Sequence, residues 1–334
     1  MRIAFVLASA VLSPTNGIVS QGLSWEKGLE SLGHTVELIN MWIKHDWKSF
    51  DVIVFFGFSV YVREFITYLA PVNPNIVVAP ILDPDYSVSS LKLYARWGCE
   101  KLRLSNGINA LWRVKDKIKL FLVRSEFEKK YITEGFKINS KKCVIVPLSV
   151  GMDTGNIHQN AEKEPFCLHI SLLMDERKNV RRLIEAAKKY QFRLVLAGVI
   201  RSEEDLRKFQ LWIGDSSNIE YRGFITEDEK IDLYSRAKVF ALPSLNEGVG
   251  IVALDAAAFG CEIVLTQLGG PKEYYGGMAE LVDPYNINRI GSAIKSFIDG
   301  RMSYQPQLSD YIIKKYSLKV VSDILEKSLN LEFL

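Results

Sequence analysis

The sequence has little cysteine and little histidine, four of each in 334 residues. The cysteines, Cys99, Cys143, Cys167 and Cys261, are scattered and form no Cys-x-x-Cys pair. This excludes a disulfide framework or a zinc site built on such pairs. Cys143 and Cys167 each lie in an apolar run, where a free thiol packs as a small hydrophobe, so a reducing cytoplasm is expected. No His-x-x-x-His or mixed His/Cys cluster is present, and no metal is expected. His34 reads as the start of a strand, His169 as a core residue, and His45 and His158 as surface residues. Trp42, Trp47, Trp97 and Trp112 read as core or interface residues. No apolar run reaches the ~18 residues that a membrane-spanning helix needs. Residues 1–7 form too short an apolar run for a secretory leader, and Pro14, Asn16 and Gly17 follow as a loop, so they read as a first buried strand. No Gly-x-Gly-x-x-Gly follows that strand, which argues against a dinucleotide dehydrogenase. Ser244 lacks a Gly-x-Ser-x-Gly setting, which removes a hydrolase elbow.

Charge of one sign is lacking overall, with 42 Lys and Arg against 39 Asp and Glu. It is uneven locally. Residues 92–142 hold 14 Lys and Arg against 5 Asp and Glu, a surplus of nine. Such a stretch is either a set of solvated helix faces or a surface for an anionic partner. The partner expected is an anionic membrane at the inner face, not nucleic acid.

What is present is an alternation. Strand-like runs at 3–7, 35–39, 52–56, 76–79, 120–123 and 144–146 are separated by amphipathic stretches such as 21–32, 60–69 and 126–133. The rhythm restarts with strands at 167–170, 193–197, 239–242, 263–265 and 279–282, and helices at 180–189, 203–211, 252–259 and 287–298. Strand and helix in turn imply βαβ units and parallel sheets. A polar linker at 151–164 divides them. The expected fold class is α/β, with two doubly wound, Rossmann-like domains facing a central cleft. The first domain covers 1–152 and the second 153–316. An amphipathic helix at 317–334 can return to the first domain.

One stretch carries chemistry. It runs Leu242-Pro243-Ser244-Leu245-Asn246-Glu247-Gly248-Val249-Gly250-Ile251-Val252-Ala253-Leu254-Asp255 and ends with Gly260. A strand passes through a glycine loop into a helix whose first N–H groups have no intrahelical partner. Gly248 and Gly250 let an anion approach the backbone. Counted at 100° per residue, Asp255 returns to the face of Gly248, about 10 Å along the axis. Two carboxylates, Glu247 and Asp255, then flank a phosphate cradle. Asp83-Pro84-Asp85 is a second acidic pair, read as a turn.

The segment from Glu247 to Asp255 resembles the E-x7-E motif of retaining GT-B glycosyltransferases of family 4 (GT4), with Asp for the second Glu. Leu268-Gly269-Gly270-Pro271-Lys272-Glu273 is similar to that family's Gly-Gly-x-x-Glu stretch, and Arg177-Lys178-Asn179 to its Lys-Asn helix. Asn16-Gly17-Ile18, Gly33-His34-Thr35-Val36, Ser125-Glu126-Phe127-Glu128 and the run from Val146 to Asp153 resemble its N-terminal domain.

The resemblance implies a GT-B fold and transfer of a sugar from a UDP- or GDP-sugar to a hydroxyl acceptor, whether glycan, lipid-linked or small molecule, without metal. It implies that Lys178 neutralises the leaving diphosphate and that Glu247 contacts the transferred sugar. Gly248, Val249, Gly250 and Ile251 would bind the diphosphate and Asp255 the ribose. Gly17 would admit the donor, and the base would lie near Arg222, Gly223 and Phe224. Two family features are missing. No Arg stands in 170–174, and no His in 79–83. An inactive relative that binds a nucleotide sugar or supports a partner enzyme stays open, as does an epimerase.

Overall fold

The structure is a computed structural model that describes residues 1–7, 17–97, 106–152 and 162–333. The chain divides into two units, Met1–Gly151 with Leu318–Leu334, and Met152–Ser317. Asn16, Cys99, Asp153 and His158 lie outside the described residues.

The first unit follows the order β1 (Arg2–Val6), α1 (Gly17–Ser31), β2 (Thr35–Leu38), β3 (Val52–Phe56), α2 (Val60–Leu69) and β4 (Ile76–Ala79). It continues with α3 (Val88–Arg96), α4 (Gly107–Val114), β5 (Leu120–Val123), α5 (Glu126–Lys130) and β6 (Cys143–Ile145). β3 and β5 are continuous runs of Val, Ile, Leu and Phe with every residue buried. A strand covered on both faces needs such a run, and alternation would expose one face. The strands pair in parallel in the order β2-β1-β3-β4-β5-β6.

The second unit contains β7 (Glu164–Ile170), α6 (Val180–Tyr190), β8 (Arg193–Ala197), α7 (Glu203–Ile213), β9 (Ile219–Tyr221), α8 (Glu227–Arg236) and β10 (Ala237–Leu242). Then come α9 (Ile251–Ala258), β11 (Glu262–Thr266), β12 (Glu280–Val282), α10 (Ile287–Ile298) and α11 (Gln307–Tyr316). Its sheet is also parallel, in the order β12-β11-β10-β7-β8-β9. The chain builds outward from β7 through β8 and β9, then crosses back to place β10 on the other flank of β7. The reversal makes the carboxyl ends of β7 and β10 a topological switch point, where doubly wound sheets bind ligands. Both units are Rossmann-like α/β domains of six strands.

The last helix, α12 (Leu318–Phe333), belongs to the first unit. Val321, Leu325 and Leu329, spaced four apart, join Trp25 and Leu29 of α1 in one core. Gly28 permits the contact. A Cβ there would stand 1.9 Å from the Ser322 hydroxyl oxygen.

Beyond the elements read from the sequence, the structure adds α3, α4, α8, β9 and α11. Trp42 and Trp97 are not core residues, being 94% and 70% exposed. His45 is not a free surface residue. Its ring is held by Glu37 and by the Asn40 carbonyl, and its side chain is 7% exposed.

Candidate active site

The site is built where β7 and β10 end. After β7 the chain enters a short 3-10 turn, Glu176–Lys178. Asn179 follows with φ 57 and ψ 30, a left-handed conformation that Asn tolerates. Its buried amide donates to the carbonyls of Pro243 at 2.9 Å and Pro284 at 2.7 Å. The Leu245 N–H donates to the Arg177 carbonyl at 2.7 Å. These bonds stitch the loop after β7 to the loop after β10. They leave Lys178 Nζ 2.7 Å from Glu247 Oε2, to which Ser244 Oγ also donates at 3.1 Å. The Lys178 and Glu247 side chains are 22% and 13% exposed, so the pair is partly dry yet open on one side.

Gly250 is the N-cap of α9, with φ +76 in the left-handed region where glycine carries no Cβ penalty. A Cβ there would stand 3.0 Å from the Leu242 side chain. No side chain caps this helix. Its first N–H groups therefore stay available to an anion, with the helix dipole behind them. Gly248, Val249 and Gly250 are buried and Ile251 is half-buried. Gly269 (φ +82) fixes the far side of the loop, since a Cβ there would lie 2.2 Å from the Glu247 carbonyl oxygen.

The helical count from Gly248 fails because residues 248–250 are not helical and α9 begins at Ile251. Asp255 is thus four residues into the helix, and it is 3% exposed. Two tyrosines accompany it in the interior, Tyr234 of α8 and Tyr275. Among the described residues neither hydroxyl has a hydrogen-bond partner.

His169, the next-to-last residue of β7, is fully buried and spans the switch point. Its Nδ1 lies 2.8 Å from the Ala241 carbonyl of β10 and its Nε2 2.7 Å from Ser171 Oγ. A carbonyl only accepts, so Nδ1 carries the proton and Ser171 donates to Nε2. Burial pushes the imidazole down to about 4, helped by the Lys178 charge and opposed by the Ala241 bond.

The other sequence-derived residues fall elsewhere. Arg222 pairs with Glu220 at 3.0 Å, and the Gly223 carbonyl accepts from the Gly198 N–H at 2.8 Å. Phe224 is exposed beyond the end of β9, the edge strand. Gly17 is not a loop glycine; it is the first residue of α1 in the other unit. Asp83 is bound by Arg124 Nη2 at 2.5 Å, and Arg124 also donates to the buried Glu128 at 2.9 Å. Arg177, the cation nearest in sequence to Lys178, is clamped on Asp175 at 2.6 Å. Sequence reasoning missed Asn179, Ser244 and Tyr275: Asn179 reaches the Glu247 loop only because β7 pairs with β10, Ser244 lies in a turn whose fold returns its hydroxyl to Glu247, and Tyr275 arrives on the segment after β11.

Residues 154–315 match the family model described as glycosyl transferases group 1. The O-antigen chain mannosyltransferase B of Escherichia coli is 26% identical over 197 residues, 54% of this chain and 51% of that protein. The chain thus spans about half the length of this curated relative. A glycosyltransferase from Rickettsia africae has the same fold, with TM-score 0.74 and 17% identity over 99% of this chain and 97% of that one. So does Anabaena HepE, solved with UDP and glucose, with TM-score 0.68 and 15% identity over 99% and 100% of the two chains. The family match covers nearly all of the second unit, and the fold is that of GT-B glycosyltransferases.

Proposed function

We propose that the chain moves a sugar from a UDP- or GDP-sugar to a hydroxyl acceptor, with retention at the anomeric carbon. One observation carries the reading: an uncapped helix N-terminus and the Lys178–Glu247 pair meet at the switch point of the second domain. In the proposed reaction the bond from the anomeric carbon to the diphosphate oxygen breaks, and its electron pair leaves on that oxygen. The N–H groups at Gly248–Ile251 and the Lys178 ammonium stabilise the charge that grows there. The acceptor oxygen bonds the anomeric carbon on the face the diphosphate leaves, and the departing diphosphate takes the acceptor's proton. Glu247 holds sugar hydroxyls, Asp255 faces the ribose, and the backbone near Arg222, Gly223 and Phe224 meets the base. No metal has a role in this scheme.

The mannosyltransferase relative supports glycan synthesis and makes a mannosyl donor the first to test. The first unit is proposed to receive the acceptor, with Gly17 at the start of α1. Arg96 of α3 and Lys115, just after α4, lie 5.2 and 4.9 Å from the Trp112 ring centroid, Arg113 and Lys117 line a neighbouring cleft, and Leu93 and Trp97 are exposed. Cations around exposed apolar groups suit peripheral contact with an anionic membrane from the cytoplasm, and a lipid-linked acceptor would be met there. No helix among the described residues is long and apolar enough to cross a membrane.

A second reading, a nucleotide-sugar binder with weak or no turnover, is favoured by one feature. No Arg stands in 170–174, and Arg177 is committed to Asp175. Calorimetric titration with UDP, GDP, ADP and their sugar conjugates, without metal, tests the donor site. Tight binding of one nucleoside diphosphate is expected, and binding of none sinks the reading. Turnover with that donor and an acceptor then separates transferase from binder.

A further inference from the structure

We propose that the Tyr275 hydroxyl is a specificity-determining contact of the donor site, hydrogen-bonding a hydroxyl of the nucleoside-diphosphate sugar between Glu247 and Asp255. The inference rests on the donor-site reading above and deepens it. Tyr275 is 1% exposed, and among the described residues its Oη has no hydrogen-bond partner. A buried phenol without a partner is costly, and phenylalanine would fill the same space without that cost. The hydroxyl therefore needs a reason.

Its surroundings supply one. Tyr275 follows the short helix Pro271–Tyr274, which follows Gly269, and the Gly269 backbone is pressed against the Glu247 carbonyl. The phenol is thus tied through a few residues to the carboxylate that faces Lys178. Burial raises the ionisation of the Tyr275 hydroxyl well above its ordinary value, and the negative charges of Glu247 and Asp255 raise it further. Both carboxylates are within electrostatic reach, and the phenol stays protonated as a donor. Tyr234 repeats the pattern beside Asp255. It is fully buried, its hydroxyl lacks a partner among the described residues, and the Asp255 charge is its foremost electrostatic neighbour.

Acceptor carboxylates and unsatisfied O–H donors together suit a group that both donates and accepts, which is the chemistry of a sugar hydroxyl. Two parts of the donor offer it, the ribose on the Asp255 side and the transferred sugar on the Glu247 side. An internal water would satisfy the same atoms without any role in binding.

The experiment compares wild type with Tyr275→Phe and Tyr234→Phe. The probes are the nucleoside diphosphate that wild type binds, its 2′-deoxy form and its sugar conjugate, read by calorimetry, with thermal unfolding of each protein alone. Tyr275→Phe is expected to weaken binding of the sugar conjugate about five-fold, as one lost hydrogen bond would. It should leave the melting temperature unchanged or raised. Weakening already present with the diphosphate, and absent with its deoxy form, places the contact on the ribose. Weakening only with the conjugate places it on the transferred sugar. Unchanged affinities in Tyr275→Phe overturn the inference, and so does a lowered melting temperature, which would mark a structural water. If wild type binds no nucleoside diphosphate, the donor-site reading falls and takes this inference with it. Binding by wild type with an indifferent Tyr275→Phe removes the inference alone.

Discussion

Lys178 Nζ lies 2.7 Å from Glu247 Oε2, across 69 residues of sequence. The cation meant for the diphosphate and the carboxylate meant for the sugar thus hold each other in place. Lys178→Ala is expected to lower turnover about 100- to 1,000-fold, the range found for a lost charge-stabilising donor. Its circular dichroism spectrum should match wild type. An unchanged rate would take Lys178 out of the mechanism.

Glu247→Ala should act on a different quantity. The affinity for the nucleoside diphosphate alone should persist, because the helix N-terminus supplies it. The extra affinity conferred by the sugar should vanish. Calorimetry on the diphosphate and its conjugate reads both numbers. A sugar increment that survives would move the sugar away from Glu247.

Gly269 sits at φ +82 with no room for a Cβ beside the Glu247 carbonyl. Gly269→Ala should therefore displace the Glu247 loop. The expected results are a stability loss of about 1–3 kcal/mol by urea unfolding and a weaker sugar conjugate. Wild-type stability with wild-type binding would show that the loop tolerates the displacement.

His169 gives the protein an acid-sensitive limb. Its folded value is lowered from 6.5 to about 4, so the neutral ring stabilises the fold fully above about 6.5. As pH falls from there through 4, the unfolded chain takes up the proton first and stability is lost. The full span corresponds to about 3 kcal/mol. Urea midpoints of wild type and His169→Asn between pH 7 and 4 should converge as pH drops. Parallel curves would assign the acid limb to other groups.

Arg124 is buried between Asp83 and Glu128; burial works against its charge, and the two carboxylates outweigh it and hold the guanidinium above its ordinary range. Arg124→Leu would leave Glu128 buried without its countercharge and should cost about 3–5 kcal/mol in the unfolding of the first domain. Nucleotide binding by the second domain should survive wherever the variant is folded. Lost binding in a folded variant would show that the Arg124 cluster serves the donor site.

The sequence by itself determined the elements whose burial is uniform. Runs such as 52–56 and 263–265 read as covered strands, and the glycine loop before α9 reads as a turn whose backbone an anion can approach. It determined that Glu247 and Lys178 matter together only through resemblance, because no local pattern links residues 69 apart. That link is a matter of strand order. β10 pairs with β7 although β8 and β9 lie between them in the chain, and this crossover alone brings the two loops together. Tertiary structure also decided Asp255, which the helical count had turned toward the loop. The non-helical Gly248–Gly250 turn shifts its phase, and the folded domain leaves it only 3% exposed. Periodicity reports how a residue faces its own element. Which element it then faces is fixed by the packing of the whole sheet, and that is why the tyrosines beside Asp255 and the exposed Trp42 could be known only from the fold.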